Sequence, residues 1–459
     1  PATPIYMNSG KLKAGDLVSC FDGNERVMTD NGYIKIKDIK IGDKVLTHTG
    51  NYEKVYELIK NDYDDYFVDL TFNCTFNNLK ATKEHPIYAL KKEDIKCIRY
   101  MNTICLNNNR KNCIKREKNY RNDCIYHNKG IKGKLNWYNI DELNIGDYVA
   151  ISYDNKDYKR IVYDMVDFLD EDYEYNYNED VVYRKTLDKK TNNKKGNDIH
   201  QHYTPIKRFI EQSNELGRFV GYFLSEGYII KDKRAEDKIR GVVFTINKND
   251  LYIINDIINI IKNIFNINEE HIKINENNKD NTKKINIRNG IIGKFIYSLC
   301  GTYFNKKKLR KDLMLSNKEF QKHILIGTIR GDGCAIENGY ILQLSNKTLI
   351  EQLQLLGFRN NLLSNYSFIE VENYENAYSL KFNVNKENKD FFFEVNKNVN
   401  KIDINKNTLK TVFNIIYDGY ILYRIKNKKY EYSKQKVYNL EVENDHSYTV
   451  NNFIVHNCF

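Results

Sequence analysis

Residues 34–45 read IKIKDIKIGDKV, and residues 138–149 read YNIDELNIGDYV. At a constant offset of 104 residues, the two segments share apolar, acidic and glycine positions without a gap. The matched pairs are Ile36 with Ile140, Asp38 with Glu142, Ile39 with Leu143, Ile41 with Ile145, Gly42 with Gly146, Asp43 with Asp147 and Val45 with Val149. Each copy is typical of a Gly-Asp turn that leads into a strand, and such turns also arise independently. The ungapped match favours a duplicated unit and predicts an all-β domain with pseudo-twofold symmetry.

The strand pattern stops and later resumes. Between residues 205 and 395, helical periodicity alternates with short strands, as in the amphipathic helix expected from Leu251 to Phe265. After residue 405 the segments TVFNIIY, YILYRI, KVYNLEV, SYTV and FIVHN again have strand character. A β domain that is interrupted in this way predicts an inserted second domain.

Composition limits the class of protein. The net charge of +11 favours an anionic partner such as nucleic acid, although a basic enzyme would also fit. The chain has nine cysteines, an odd number, and no secretory signal, which argues against a disulfide framework. The sequence contains no run of 18 apolar residues, so it predicts no membrane-spanning helix. We expect a cytoplasmic monomer. Because the sequence starts at Pro1 without Met, we also expect it to be a segment of a longer polypeptide.

A basic insert separates the two copies of the repeat. Residues 91–136 contain 13 Lys and Arg against 4 Asp and Glu, with tyrosines between the cations. This pattern suits phosphate contacts and base stacking, and a solvated loop is the alternative. The candidate DNA-binding residues are Lys111, Lys115, Arg116, Lys118 and Arg121.

The same insert contains a cysteine cluster. Its spacing, C-x7-C-x7-C-x10-C-x2-H, lacks the close C-x2–4-C pair of most structural zinc sites. Free thiols are therefore favoured over a zinc site at Cys97, Cys105, Cys113 and Cys124.

Three distant segments carry residues suited to cleavage of the backbone. Cys20 opens a β-rich segment, and Thr82 and His85 form a Thr-x-x-His pattern after a predicted strand. The Cys20 thiolate would attack the carbonyl carbon of Ser19. Thr82 and His85 would polarise that carbonyl and protonate the Cys20 amide.

The third segment is His456-Asn457-Cys458. The Asn457 side chain would cyclise onto its own carbonyl and cleave the bond to Cys458, with a hydrogen bond from His456. Cys458 would first take over the acyl chain through its thiol. Each of these three patterns, found alone, usually has only a structural role. Their occurrence together, at and between the two ends of residues 20–457, indicates a cleavage reaction of the backbone.

These segments resemble the splicing motifs of inteins of the Hint fold. CFDGNERVMTDNG matches the N-terminal motif, LKATKEHPIYAL the Thr-x-x-His motif, and KVYNLEVENDHSYTVNNFIVHNC the C-terminal pair. The resemblance implies excision of residues 20–457 and ligation of Ser19 to Cys458. The catalytic residues that it implies are Cys20, Thr82, His85, His446, His456, Asn457 and Cys458. Asn439 stands where the family commonly has Asp, so splicing would be slower or rely on other groups.

The flank PATPIYMNSGKLKAGDLVS, followed by CF after residue 457, resembles the active-site region of ribonucleotide reductase large subunits. This resemblance implies that such an enzyme is the host of the excised segment.

The inserted region contains two similar apolar helices. Leu216 to Gly227 and His323 to Gly333 have glycines spaced for close helix packing, and each ends in an acid followed by Gly. Side-by-side packing would bring Glu226 and Asp332 together as ligands of Mg²⁺, which would assist phosphodiester hydrolysis. Ordinary core helices with terminal acids are the alternative.

Both segments resemble the paired motifs of LAGLIDADG homing endonucleases. This resemblance implies an α+β domain with two αββαββα-like halves, Mg²⁺ as cofactor, and double-stranded DNA at the intein-free insertion site as substrate. Lys306 to Arg310 resembles the family's Lys-x-Ile-Pro stretch, with Arg310 in place of Pro. Lys307 is then the candidate catalytic lysine, and a solvated basic run is the alternative.

The predicted organisation is multidomain. We expect an N-extein flank at 1–19, the first part of the splicing domain at 20–165, and a linker at 166–204. The endonuclease follows at 205–400, the second part of the splicing domain at 401–457, and the C-extein flank at 458–459. The alternatives are an intein whose second domain no longer cleaves DNA, and a plain DNA-binding protein with coincidental terminal residues.

Overall fold

A computed structural model describes residues 19–73, 75, 77–95, 133–169, 175–184, 205–232, 238–277, 279–337, 339–370, 375–384, 388–395 and 414–457. The chain divides into two compact units, of which unit 1 takes in Pro1–Lys156, Asn365–Ser367 and Asn405–Phe459, and unit 2 takes in Asp157–Ser364 and Phe368–Ile404. The five candidate DNA-binding residues of the basic insert, the four cysteines of the zinc alternative and Cys458 lie outside the described residues. None of the described helices is long and apolar enough to span a membrane.

The first strands belong to unit 1. They are β1 (Phe21–Asp22), β2 (Arg26–Thr29), β3 (Gly32–Lys35), β4 (Lys44–Leu46), β5 (Tyr52–Phe72), β6 (Leu79–Thr82), β7 (Pro86–Leu90), β8 (Asn136–Asn139) and β9 (Tyr148–Ile151).

Unit 2 contributes strands and helices. The strands are β10 (Val162–Asp164), β11 (Tyr175–Tyr177), β12 (Val181–Arg184), β13 (Ile206–Lys207), β14 (Phe209–Glu211), β15 (Gly227–Asp232), β16 (Lys238–Asn247), β17 (Ile272–Asn277), β18 (Thr282–Ile287), β19 (Gly333–Ile336), β20 (Gly339–Leu344), β21 (Ser364–Ile369) and β22 (Ala377–Asn383). The helices are α1 (Asn214–Glu226), α2 (Leu251–Phe265), α3 (Gly290–Cys300), α4 (Lys311–Met314), α5 (Lys318–Asp332), α6 (Lys347–Arg359) and α7 (Lys389–Val395).

The last strands return to unit 1 as β23 (Asn414–Tyr417), β24 (Tyr420–Val442), β25 (Ser447–Val450) and β26 (Phe453–His456). The sheet of unit 1 has the order β23-β24-β1-β6-β5-β4-β2-β25-β26-β9-β7-β8, with β3 paired to β2. Additional pairings of β24 with β5 and β9 fold this sheet back on itself. Strand β1, which directly follows Cys20, lies between β24 and β6.

The two copies of the repeat have the same local structure. A 3₁₀ turn follows the first strand of each copy, at Ile36–Asp38 and at Ile140–Glu142. Gly42 and Gly146 then have φ angles of 93° and 99°, in the left-handed region that glycine adopts without a steric penalty. Each copy therefore needs its Gly-Asp turn to enter the next strand.

Two glycine-rich helices pack in direct backbone contact within unit 2. A Cβ atom at Gly221 of α1 would lie 2.3 Å from the carbonyl oxygen of Ile324, and one at Gly327 of α5 would lie 2.4 Å from that of Arg218. The spacing of small residues seen in the sequence thus corresponds to a close helix–helix contact. The strands of the four-stranded sheet β15-β16-β18-β17 follow α1 in the chain, and those of the four-stranded sheet β19-β20-β22-β21 follow α5.

The boundary between the units differs from the one expected at residue 165. Strand β10 pairs with β14 of unit 2, and the Tyr163 hydroxyl donates a hydrogen bond of 2.7 Å to Asp312. Residues 157–165 therefore pack with the inserted region rather than with the first part of unit 1. The sequence between 154 and 200 is weakly periodic, so it contains no signal that would have marked this change.

Candidate functional sites

Thr82 lies against the nitrogen of the Ser19–Cys20 peptide bond. The amide N–H of Cys20 donates a hydrogen bond of 3.0 Å to the Thr82 hydroxyl, and the Thr82 N–H donates one of 3.0 Å to the Cys20 carbonyl. Both residues are fully buried. The predicted Thr-x-x-His motif is thus beside Cys20 because β1 pairs with β6, whose last residue is Thr82.

Asn439 lies against the carbonyl of the same peptide bond. Its side-chain Nδ2 donates a hydrogen bond of 2.6 Å to the Ser19 carbonyl oxygen. We expected Thr82 and His85 to polarise this oxygen, but the Thr82 hydroxyl is engaged with the Cys20 nitrogen instead. From the sequence, Asn439 was interpreted only as the replacement of an Asp that is common in the family. Its place in the C-terminal motif already indicated that it lies near Cys20.

His85 is buried next to the same peptide. Its ring lies 4.1 Å from the ring of Phe21, measured between centroids, and its side chain is inaccessible to solvent. Burial lowers the pKa of His85 to about 3, and the backbone groups of Ser19 and His456 oppose this shift. His85 is therefore neutral near pH 7 and adjoins residues of both predicted cleavage points.

The C-terminal residues form a second cluster in unit 1. The N–H of Asn457 donates a hydrogen bond of 3.1 Å to the His446 carbonyl, and Asn457 Nδ2 lies 3.4 Å from His446 Nδ1. His456 Nδ1 lies 3.1 Å from the Asn457 carbonyl oxygen. Burial lowers the pKa of His456 to about 4. The tautomer of neutral His456 that is protonated at Nδ1 can donate to that carbonyl.

His48 is a neighbour of this cluster that the sequence analysis missed. Its Nδ1 lies 2.7 Å from the Ser447 hydroxyl, and its ring is nearly perpendicular to that of Trp137, with 6.3 Å between the centroids. Trp137 in turn packs edge-on against the ring of His456 at 4.7 Å. His48 belongs to no recognisable motif, so only the fold brings it here.

Glu226 and Asp332 come together at the carboxyl ends of α1 and α5. A Cβ atom at Gly331 would lie 3.3 Å from Cγ of Glu226. Burial and then the charge of Asp332 raise the pKa of Glu226 to about 7, and burial raises that of Asp332 to about 6. The close helix packing therefore holds two carboxyl groups whose simultaneous ionisation is unfavourable.

Lys307 is buried beside these acids. Its Nζ donates hydrogen bonds of 2.7 Å and 2.9 Å to the carbonyl oxygens of Phe223 and Leu224 in the last turn of α1. Burial lowers the pKa of Lys307 to about 8, and the negative charges of Asp332 and Glu226 oppose the shift. The alternative that Lys307 belongs to a solvated basic run is therefore wrong for this residue.

The two carboxyl groups suit a hard divalent cation. Oxygen ligands are what Mg²⁺ prefers, and a cation would stabilise the ionised forms of two carboxyl groups whose pKa values are raised mainly by burial. Among the described residues, no group of three or more His, Cys, Asp and Glu side chains is gathered for a metal. Water or phosphate oxygens would have to complete the coordination, as is usual for Mg²⁺.

No family model matches the chain. An uncharacterized protein of Methanocaldococcus jannaschii is 27% identical over 449 residues, which cover 96% of this chain and 50% of that protein. The ATP-dependent DNA helicase Hel308 of Thermococcus kodakarensis is 22% identical over 95% of this chain and 36% of the helicase. An iron–sulfur cluster assembly SufBD family protein of Mycobacterium tuberculosis is 20% identical over 99% of this chain and 43% of that protein. The chain thus spans half or less of each of these relatives.

The structural neighbours are homing endonucleases and an intein. The homing endonuclease I-DmoI in complex with DNA and Mn has 17% identity and a TM-score of 0.31 over 42% of this chain and 97% of that chain. The homing endonuclease I-WcaI, bound to its DNA recognition sequence, has 18% identity and a TM-score of 0.27 over 40% of this chain and 80% of that chain. The gp41-1 intein has 17% identity and a TM-score of 0.17 over 29% of this chain and 70% of that chain.

Proposed function

We propose that this chain is an intein that excises residues 20–457, joins Ser19 to Cys458, and carries an endonuclease for its own insertion site. The observation that carries the splicing proposal is the Ser19–Cys20 peptide bond, which has Thr82 on its nitrogen and Asn439 on its carbonyl oxygen. Both partners are side chains rather than the backbone groups of a neighbouring strand, an arrangement that suits a peptide bond held in position for attack.

The first step is an isomerisation of this bond. The Cys20 thiolate attacks the Ser19 carbonyl carbon, the bond from that carbon to the Cys20 nitrogen breaks, and the thiol proton ends on the nitrogen. Thr82 holds the leaving nitrogen in place through its hydroxyl. Neutral His85 is available to transfer the proton, because burial prevents its protonation near pH 7.

The next steps cleave the bond between Asn457 and Cys458 and join the two flanks. The Cys458 thiol takes the acyl group from Cys20, and Asn457 Nδ2 then attacks its own carbonyl carbon and frees the Cys458 amine. His446 Nδ1 lies beside that attacking nitrogen, and His456 Nδ1 lies beside the carbonyl oxygen that gains charge. The free amine of Cys458 finally displaces its own thioester, which leaves a normal peptide bond to Ser19.

The sequence relatives support the proposal that this chain is a segment inserted into unrelated host proteins. Nearly the whole chain aligns with part of a helicase and with part of an iron–sulfur cluster assembly protein, whose names share no activity. A self-removing segment explains this pattern, since it leaves no trace in the activity of its host. The flanking residues suggest that the host here is a ribonucleotide reductase large subunit, in which ligation would restore LVS-CF.

We propose cleavage of double-stranded DNA as the activity of unit 2. Glu226 and Asp332 would hold Mg²⁺, which when bound supplies Lewis-acid stabilisation for phosphodiester hydrolysis. Lys307 would place a buried positive charge next to the scissile phosphate and hold or release a proton there, given its pKa of about 8. The supporting observation is that three ionisable groups with shifted pKa values share one site, in which Lys307 is buried and both acids are half-buried.

Two experiments test these proposals. A precursor with longer flanks is expressed with Cys20→Ala, which is expected to block N-terminal thioester formation, or with Asn457→Ala, which is expected to block C-terminal cleavage. Ligated product of normal mass from the Cys20→Ala precursor would refute the splicing mechanism. Incubation of the protein with DNA that carries the intein-free insertion site distinguishes an active endonuclease from a splicing intein that only binds DNA.

A further inference from the structure

We infer that Asn439 is a catalytic residue of the first splicing step, in which its side-chain amide is a fixed hydrogen-bond donor to the Ser19 carbonyl oxygen. This inference rests on the proposed splicing function. Sequence comparison treats Asn439 as a defect, because an amide cannot supply the proton of the acid common in inteins. The contact of 2.6 Å from Asn439 Nδ2 to the Ser19 oxygen gives the residue a different role.

The orientation of the Asn439 amide is determined by its other partners. The backbone N–H of Leu440 lies 2.7 Å from Oδ1, and a backbone N–H can only meet an acceptor. The Tyr448 hydroxyl donates to the same oxygen at 2.5 Å. The oxygen therefore faces Leu440 and Tyr448, which leaves the NH₂ group to face the Ser19 carbonyl.

The donor is aimed at the atom that gains charge. When the Cys20 sulfur bonds to the Ser19 carbonyl carbon, negative charge develops on the carbonyl oxygen until the bond to the Cys20 nitrogen breaks. A preorganised donor at this oxygen stabilises the transition state more than the planar peptide. Asn439, Cys20 and Tyr448 are all fully buried, and low polarity around them strengthens the interaction. Thr82 thus binds the nitrogen of the scissile peptide bond, and Asn439 binds its carbonyl oxygen.

An amide differs from an acid in its pH dependence. A carboxyl group at residue 439 would donate to the Ser19 oxygen only while protonated, and once ionised it would repel that oxygen. Burial would raise the pKa of this carboxyl, and the titratable groups near the scissile peptide in the described part of the chain include Tyr448, Cys20, Tyr63 and His85. The amide of Asn439 donates at every pH, so this step does not depend on protonation of residue 439.

The test uses the full chain with longer flanks in an Asn457→Ala, Cys458→Ala background, where the N-terminal step can occur but transfer to residue 458 and cyclisation of residue 457 cannot. Release of the N-terminal flank by dithiothreitol is followed by mass spectrometry. Asn439→Ala is expected to slow release about 100-fold, the usual loss of one oxyanion donor. Tyr448→Phe, which removes one of the groups that orient the amide, is expected to slow it about 10-fold. The folding control is C-terminal cleavage by Asn439→Ala in a Cys20→Ala background, expected within about threefold of its parent.

Asn439→Asp is the second, decisive variant. It is expected to release the flank faster at about pH 5.5 than at about pH 8, the reverse of the parent, whose attacking group is a thiolate. Parental release rates for Asn439→Ala would overturn the inference while leaving splicing intact. So would an Asn439→Asp variant with the parental pH profile, even if Asn439→Ala fails to fold. A parent that releases no flank at all would overturn the proposed splicing function itself, and the inference with it.

Discussion

The amide nitrogen of Cys20 and the hydroxyl oxygen of Thr82 are 3.0 Å apart, although the two residues lie 62 positions apart in the chain. The hydroxyl accepts a hydrogen bond from the peptide nitrogen that leaves in the proposed first splicing step. Thr82 therefore holds this nitrogen in place before the bond breaks.

Replacement of this hydroxyl by a methyl group tests its role. Thr82→Val is expected to slow thiol-induced release of the N-terminal flank by about 10- to 100-fold, because the leaving nitrogen loses its partner. The matched control is Thr449→Val, since the buried Thr449 hydroxyl has no hydrogen-bond partner among the described residues. Equal release by both variants would remove Thr82 from the mechanism.

Replacement of Lys307 tests the proposed endonuclease site. Lys307→Met is expected to lower the rate of Mg²⁺-dependent cutting of the insertion-site DNA by about 100-fold or more, because a buried charge and proton carrier are lost. Lys308→Met removes an exposed neighbouring cation and is expected to change the rate little. Glu226→Gln or Asp332→Asn is expected to abolish cutting, and activity that survives both changes would refute the assigned site.

The acidic pair predicts a pH-dependent effect of Mg²⁺ on stability. The pKa values of about 7 for Glu226 and about 6 for Asp332 exceed those of the unfolded chain, so without metal the folded state binds more protons. The stability contribution of the pair is thus present at low pH and lost as the pH rises through about 4 to 7. A cation that binds the two ionised carboxylates should restore the stability that is lost at high pH.

Thermal unfolding with and without Mg²⁺ measures this effect. The melting temperature of the transition assigned to unit 2 should rise with Mg²⁺ at about pH 7.5 and change much less at about pH 5, where protons compete. The Glu226→Gln, Asp332→Asn double variant serves as the control and should respond to Mg²⁺ at neither pH. An equal response from the double variant would place the cation elsewhere.

The contact between α1 and α5 predicts a large loss of stability from one methyl group. Gly221→Ala would put Cβ 2.3 Å from the Ile324 carbonyl oxygen, so the two helices must separate. The expected destabilisation is about 2 to 4 kcal/mol in urea unfolding. Gly357→Ala in α6 would put Cβ 3.1 Å from the Leu362 carbonyl oxygen, and this smaller overlap is expected to cost less stability than Gly221→Ala. Similar losses for both variants would contradict the close packing of α1 and α5.

Local patterns made much of this architecture predictable. The apolar segments with regularly spaced glycines became α1 and α5 because close packing needs small residues, and the same spacing placed Glu226 and Asp332 at adjacent helix ends. The Thr-x-x-His motif lies beside Cys20 because β1 and β6 pair. These relationships depend on short-range periodicity and on strand pairing within a repeated unit.

Other relationships depend on contacts that sequence spacing does not encode. Asn439 reaches Ser19 because β24 pairs with β1, and this register is set by the fold as a whole. His48 reaches Ser447 through a pairing of segments 399 residues apart. The segment from 157 to 165 joins unit 2 through β14 and Asp312, which the local sequence does not indicate.

The intact mass of the products from a precursor with longer flanks tests the central proposal most directly. We predict two species, the excised segment Cys20–Asn457 and a single polypeptide in which Ser19 is joined to Cys458 by a peptide bond. Recovery of only the uncleaved precursor, or of separate flanks that are never joined, would contradict the proposal that this chain splices itself out of its host.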